Sequence, residues 1–241
     1  MSGHNGIIGN FLMASAVVVL ACLGCAAMAD ARRTVIILDA SASMAAALGD
    51  GTRLDAAKRA VKTAISVTHT HAPAHELALV SFYDGCWVDV MARGAPVSQV
   101  RGELLSQIDG LRTRDYGHTP IARALEAAAE LLTGRKGDII LVSDGQESCD
   151  KEIDLCRFAT RLKAANVTLK VNLVGLALSR DQREALDCVA RNTGGAFLNA
   201  DDSAGLEAAL GLIAEDSVEE SAAVRPCYDN RGGLLAVWCR E

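Results

Sequence analysis

The chain has 241 residues, a formal net charge of −6, and is half hydrophobic but only 4% aromatic. The acidic balance argues against non-specific nucleic-acid binding, since no basic surplus is present to neutralise phosphates, and the scarcity of aromatics argues against a base-stacking platform. The length is enough to bury a sizeable core, and the composition is that of a packed globule rather than a disordered chain.

The first 29 residues contain no Asp, Glu, Lys or Arg, and Phe11 to Ala29 is almost wholly apolar. Ala27-Met28-Ala29 has the small-x-small form of a signal-peptidase site, which predicts a leader over 1–29 cleaved before Asp30. Val19-Leu20-Ala21-Cys22 offers a second reading, a lipobox whose cysteine would be acylated, and an uncleaved anchor is the third. Each predicts export to the periplasm or the outside of the cell, free or lipid-anchored, with a membrane touched only through that leader.

Thr34-Val-Ile-Ile-Leu38 is a short continuous apolar run, the pattern of a strand buried on both faces, and it ends in Asp39, Ser41, Ser43 and Met44. In open α/β sheets ligands sit outside the carboxyl ends of such strands. One carboxylate and two hydroxyls emerging there are hard oxygen donors, suited to Mg²⁺ or Mn²⁺ rather than zinc or copper. A small-residue loop to Thr52 leads into an amphipathic helix from about Arg53 to His69. Glu76 to Tyr83 and Cys86 to Ala92 are strands separated by Asp84-Gly85, a two-residue hairpin signal.

Val97 to Leu111 is predicted helical, and the loop from Arg112 delivers Thr119 to a helix over Pro120 to Leu132, opened by proline. Asp138 to Ser143 is a second buried strand, ending in Asp144-Gly145. A helix from about Lys151 to Ala165 follows, closed by Asn166 in the left-handed region. Then come a strand over Val167 to Val174, a helix over Asp181 to Asn192 ended by Gly194-Gly195, a strand over Ala196 to Asn199 and a helix over Ser203 to Ala214. Residues 215–241 open with Glu215, Asp216, Glu219 and Glu220 and read as an acidic linker to a small closed tail. The alternation predicts a doubly wound α/β sheet, mainly parallel with one antiparallel edge strand and helices on both faces, over 30–214.

The order Asp39-x-Ser41-x-Ser43, then Thr119-Pro120, then strand-Asp144-Gly145 resembles the von Willebrand factor type A (vWA) family with its metal-ion-dependent adhesion site. The Cys188-to-Phe197 segment resembles secreted bacterial members. The resemblance implies a Rossmann-like fold and no catalytic residues. It also implies Mg²⁺ or Mn²⁺ held by Asp39, Ser41, Ser43, Thr119 and Asp144, and a protein partner that offers Asp or Glu to the ion. Tyr116, His118, Gln146 and Glu147 are the rim candidates for choosing that partner.

Three alternatives bound this reading. Individually Ser41, Ser43 and Thr119 are ordinary turn or helix caps, and Asp144-Gly145 is an ordinary turn. A Mg²⁺-dependent phosphohydrolase of haloacid-dehalogenase type needs a general acid two residues after the first aspartate, where this chain has Ser41. A structural secreted domain with a vestigial metal site is the third. His69, His71 and His75 around Pro73 could hold zinc or be plain surface histidines.

Of the eight cysteines, Cys22 and Cys25 lie in the leader, which leaves six in an exported segment. An even number there predicts disulfides. Cys227 and Cys239 flank the turn signal Asp229 to Gly233 and are the first candidate pair, with Cys149–Cys156 next and Cys86–Cys188 by elimination.

Overall fold

The structure, a computed structural model, describes residues 32–166 and 168–219, together with the backbone of 220–222, 225–228 and 234–239. The leader readings lie outside the described residues. Among the described residues no helix is long and apolar enough to cross a membrane.

The strands are β1 (Arg33–Asp39), β2 (Ala47–Leu48), β3 (Gly51–Thr52), β4 (Glu76–Phe82), β5 (Asp89–Pro96), β6 (Gly137–Ser143), β7 (Lys170–Leu176), β8 (Phe197–Ala200), β9 (Arg225–Tyr228) and β10 (Leu234–Cys239). The helices are α1 (Arg53–His71), α2 (Val97–Gly110), α3 (Ile121–Leu131), α4 (Leu155–Ala165), α5 (Arg180–Thr193) and α6 (Ser203–Ala222). Six strands form one sheet in the order β5-β4-β1-β6-β7-β8. All its pairings are parallel except β4 with the edge strand β5. This is the predicted doubly wound architecture.

Strand geometry sends alternate side chains to opposite faces. From β1, Ile36 and Leu38 join a core layer with α1, α2 and α6, while Val35 and Ile37 join the layer with α3, α4 and α5. β1 and β6 are buried along their whole length, which explains why their sequences are unbroken apolar runs rather than alternating ones.

The helices start where their capping chemistry places them. Thr52 and Asp55 form a capping box at α1, and Ser179 and Gln182 another at α5, which ends at Gly194 in the left-handed conformation. Asp154 caps α4, so this helix begins at Leu155 rather than near Lys151. Asn166, expected to be left-handed, is extended instead, and its side-chain oxygen accepts from the Thr168 backbone and hydroxyl. β7 accordingly starts later than predicted.

Two further differences concern the connections. Asp84-Gly85 is not a two-residue hairpin: β4 ends at Phe82 and β5 starts only at Asp89, because Gly85 bridges to Gly117. The acidic stretch read as a linker is instead the second half of α6, where Ser217 is buried and its hydroxyl donates to Asp138. Beyond it, β9 and β10 pair antiparallel around the predicted turn region. The side chains of Cys227 and Cys239 lie outside the described ones.

The other four cysteines are bonded, but with exchanged partners. The bonds are Cys86–Cys149, with Cα atoms 5.8 Å apart, and Cys156–Cys188, at 5.3 Å, in place of Cys149–Cys156 and Cys86–Cys188. Cys156 lies in the first turn of α4, which packs on α5 and so meets Cys188. Cys149 lies in the β6–α4 loop, with its N–H held by Glu147 and its neighbour Asp150 paired to Arg123, whose guanidinium also reaches the Cys86 carbonyl. That brings Cys149 to the β4–β5 loop.

The opposite end of the sheet is closed by ion pairs. The Arg33 and Arg135 guanidinium groups converge on Glu76, Arg32 pairs with buried Asp138, and the His75 ring lies 2.9 Å from the Thr34 hydroxyl. His75 is therefore buried and the histidines of this stretch are not a cluster; among the described residues no group of three or more His, Cys, Asp or Glu side chains is placed to hold a metal ion.

Candidate metal centre

The carboxyl ends of β1 and β6, adjacent in the middle of the sheet, bring Asp39 and Asp144 together. Asp39 is fully buried, and each of its oxygens is occupied. Oδ1 accepts from the Ser41 backbone N–H at 2.8 Å, and Oδ2 accepts from the Ser143 hydroxyl at 2.5 Å. Desolvation by burial pushes its carboxyl up to about 7, opposed by the Ser143 and Ser41 hydrogen bonds and assisted by the Asp144 charge. Among the described residues no cation pairs with Asp39.

After Asp39 the chain enters a short 3₁₀ turn over Ala42–Ala45, which sets Ser41 and Ser43 side by side with their hydroxyl oxygens 3.2 Å apart. Ser43 donates to Asp144 Oδ1 at 2.6 Å. Asp144 Oδ2 accepts from Arg53 Nη1, also at 2.6 Å. Arg53 opens α1, so the first turn of that helix delivers a guanidinium to the same place.

Thr119 is buried just before α3. Its backbone is tied to the β6–α4 loop from both sides: its N–H donates to the Ser148 hydroxyl and its carbonyl accepts from the Ser148 N–H. A Cβ added to Gly145 would stand 3.5 Å from the Thr119 hydroxyl oxygen, which sets that hydroxyl against the Asp144–Gly145 turn. The five side chains of the sequence motif thus come from three loops to one end of the sheet.

The loops are stitched to one another by backbone bonds. The Ala42 N–H, between Ser41 and Ser43, donates to the Gly117 carbonyl. Gly117 in turn bridges to Gly85, whose N–H donates to Tyr116 and whose carbonyl accepts from His118. Gly117 is required by close approach: a Cβ there would lie 2.9 Å from both Ala42 N and Tyr83 O and 3.1 Å from Ser41 Cα. Gly117→Ala is expected to destabilise the protein by about 1–3 kcal/mol, because backbone rather than a flexible side chain must yield. Chemical denaturation measures this, and a change below about 0.5 kcal/mol would show that the three loops are not packed as described.

The rim residues separate into two kinds. Tyr116, at 81% exposure, His118 and Gln146 face solvent. Glu147 does not serve as a rim residue: its carboxylate turns inward and accepts from the backbone N–H groups of Ala122, Cys149 and Asp150. Trp87, at 79% exposure and next to Cys86, was not singled out by the sequence, yet the Gly85 bridge carries it to the same rim as Tyr116. Ser143 and Arg53 were also missed. Ser143 could have been suspected as the polar end of an apolar strand, whereas nothing in the spacing of Arg53 marks it.

The donor set fits a small, hard divalent ion: two carboxylates and three hydroxyls, all oxygen, with one carboxylate fully buried and, among the described residues, without a counter-charge.

Residues 34–146 match the family model of the von Willebrand factor type A domain. No curated protein matches the sequence. Among solved structures, the chain is similar to the conserved hypothetical protein BatB from Bacteroides thetaiotaomicron, with TM-score 0.62, 16% identity, and coverage of 79% of this chain and 98% of that one. It is also similar to the pilus adhesin SpaC from Lactobacillus rhamnosus GG, with TM-score 0.67 and 14% identity, over 79% of this chain but only 30% of the adhesin. A third is the PilB minor pilin from Streptococcus sanguinis, with TM-score 0.65 and 13% identity, covering 80% of this chain and 63% of the pilin. The fold is the Rossmann-like α/β fold of vWA domains.

Proposed function

We propose that the chain is an exported member of the vWA family that acts as an adhesion-type binding module. In this reading Asp39, Ser41, Ser43, Thr119 and Asp144 hold Mg²⁺ or Mn²⁺, and a partner protein docks by offering an Asp or Glu carboxylate to it. The observation that carries it is the convergence of those oxygen side chains from three loops at the centre of the sheet, with Asp39 buried and, among the described residues, lacking a cation of its own.

When bound, the ion supplies an electrophilic point at which an incoming carboxylate is fixed. The protein's residues do the rest. Asp39 and Asp144 supply the negative charge, the three hydroxyls supply neutral donors that add none and so keep the ion electrophilic, and the stitched loops hold the donors in place. Exposed Trp87, Tyr116, His118 and Gln146 offer the surrounding contact surface, and aromatic side chains are enriched at the centres of protein interfaces. Names of similar structures agree with such a role, two being a pilus adhesin and a minor pilin. The disulfides agree with an exported chain. A phosphohydrolase of haloacid-dehalogenase type would need a general acid two residues after Asp39, where this chain has Ser41.

Calorimetric titration of the protein with Mn²⁺ and Mg²⁺ tests the reading. Saturable one-site binding is expected, lost in Asp39→Ala and in Asp144→Ala with the fold retained by circular dichroism. Binding unchanged in both variants, or absent from the folded wild type, would remove the metal-bridged mechanism.

A further inference from the structure

We propose that Arg53 is a built-in cation that competes with the divalent ion for Asp144, so that the protein itself sets a threshold for metal capture. The inference rests on the metal reading above and concerns a residue outside the metal-binding motif. Asp144 has a fully buried side chain, and both its oxygens are engaged: Oδ1 by the Ser43 hydroxyl and Oδ2 by Arg53 Nη1 at 2.6 Å. A guanidinium therefore stands on one of the two carboxylates that the ion needs.

The charges make the conflict unavoidable. Asp39 and Asp144 together balance a divalent cation, and a third positive charge in contact with Asp144 repels it at a buried site where screening is weak. The Arg53 side chain is also poorly anchored for a buried arginine. It is 24% exposed, and its Nε is buried without a hydrogen-bond partner. Among the described residues one side-chain hydrogen bond, to Asp144, holds it, and part of the side chain reaches solvent. An arginine evolved purely as a structural cap would be expected to use more of its donors. The arrangement instead favours a side chain that neutralises Asp144 when the ion is absent and leaves when it arrives.

The test uses the intact protein and Mn²⁺ alone as the probe, comparing wild type with Arg53→Gln, Arg53→Met and Arg53→Lys by calorimetry and by thermal unfolding with and without Mn²⁺. The two neutral variants are expected to bind Mn²⁺ at least tenfold more tightly than wild type, and Arg53→Lys to stay within about threefold of it. Without metal the neutral variants should melt below wild type, since Asp144 loses its counter-charge, and Mn²⁺ should raise their melting temperatures by more than it raises the wild type's. Binding seen only in the neutral variants also supports the competition. Equal or weaker binding in both neutral variants overturns it while leaving the metal site standing. Binding by none of the folded proteins overturns the metal reading, and the competition with it.

Discussion

Replacing Cys86 and Cys149 together by alanine is expected to lower the unfolding free energy by about 4 kcal/mol. The bond closes a loop with a sequence separation of 63, and constraint of the unfolded chain over such a loop is worth about that much. The Cys156–Cys188 bond, with a separation of 32, should be worth nearly as much, since the effect grows only with the logarithm of loop length. The two bonds differ in what else they hold. Cys86–Cys149 ties the loop carrying Trp87 to the loop carrying Asp144, whereas Cys156–Cys188 staples α4 to α5 on one face of the sheet. Removing the first should also weaken Mn²⁺ binding by about tenfold, the scale seen when groups that orient metal ligands are lost. Removing the second should leave Mn²⁺ affinity unchanged. Denaturant unfolding and calorimetry on both double variants decide the matter, and equal losses of affinity would show that general destabilisation, not loop anchoring, is responsible.

A second large effect is expected with pH. Burial pulls the His75 imidazole from 6.5 down to about 4, reinforced by nearby Arg32 and opposed by Glu76. Below 6.5 the unfolded chain takes up a proton that the folded chain refuses. The stability at stake is complete above 6.5 and is lost as pH falls toward 4, reaching about 3 kcal/mol in full. Asp39 acts in the opposite sense in metal-free protein. With its carboxyl raised to about 7, the folded chain binds a proton that the unfolded chain does not, so its contribution improves as pH falls. The His75 effect is therefore read from the difference between wild type and His75→Gln. Between pH 7.5 and 4.5 wild type should lose about 2–3 kcal/mol relative to the variant in urea unfolding, and a flat difference would mean that His75 is hydrated or protonated in the folded state.

The parts of the fold legible in the sequence were those with strong periodicity or chemistry. Val35 to Leu38 and Ile139 to Val142 read as strands covered on both faces, as they are, and Gly194 marked the end of α5. The five motif residues could be named through the family resemblance that their order along the chain carries. What the sequence could not show arises from contacts between distant segments. The pairing of Cys86 with Cys149 depends on Gly85 meeting Gly117, and local spacing carries no trace of that meeting. Glu147 looked like a loop carboxylate available to a partner, but three backbone N–H groups claim it. Acidic residues 215–220 looked like a solvated linker because charge dominates their composition, yet α6 continues through them and buries Ser217.

The placement of β1 between β4 and β6 also dictates an order of events in time. Its pairing with β4 joins positions roughly 40 residues apart, whereas its pairing with β6 joins positions roughly 100 residues apart, and contacts of such separation slow folding. A chain emerging from its amino terminus presents Asp39 early, but the second carboxylate arrives only with β6. The half-assembled sheet meanwhile exposes an apolar β1 edge, a template for mispairing with other chains. The Cys86–Cys149 bond joins the β4–β5 loop to the loop that follows β6, so once formed it holds together the strand ends that carry Asp39 and Asp144.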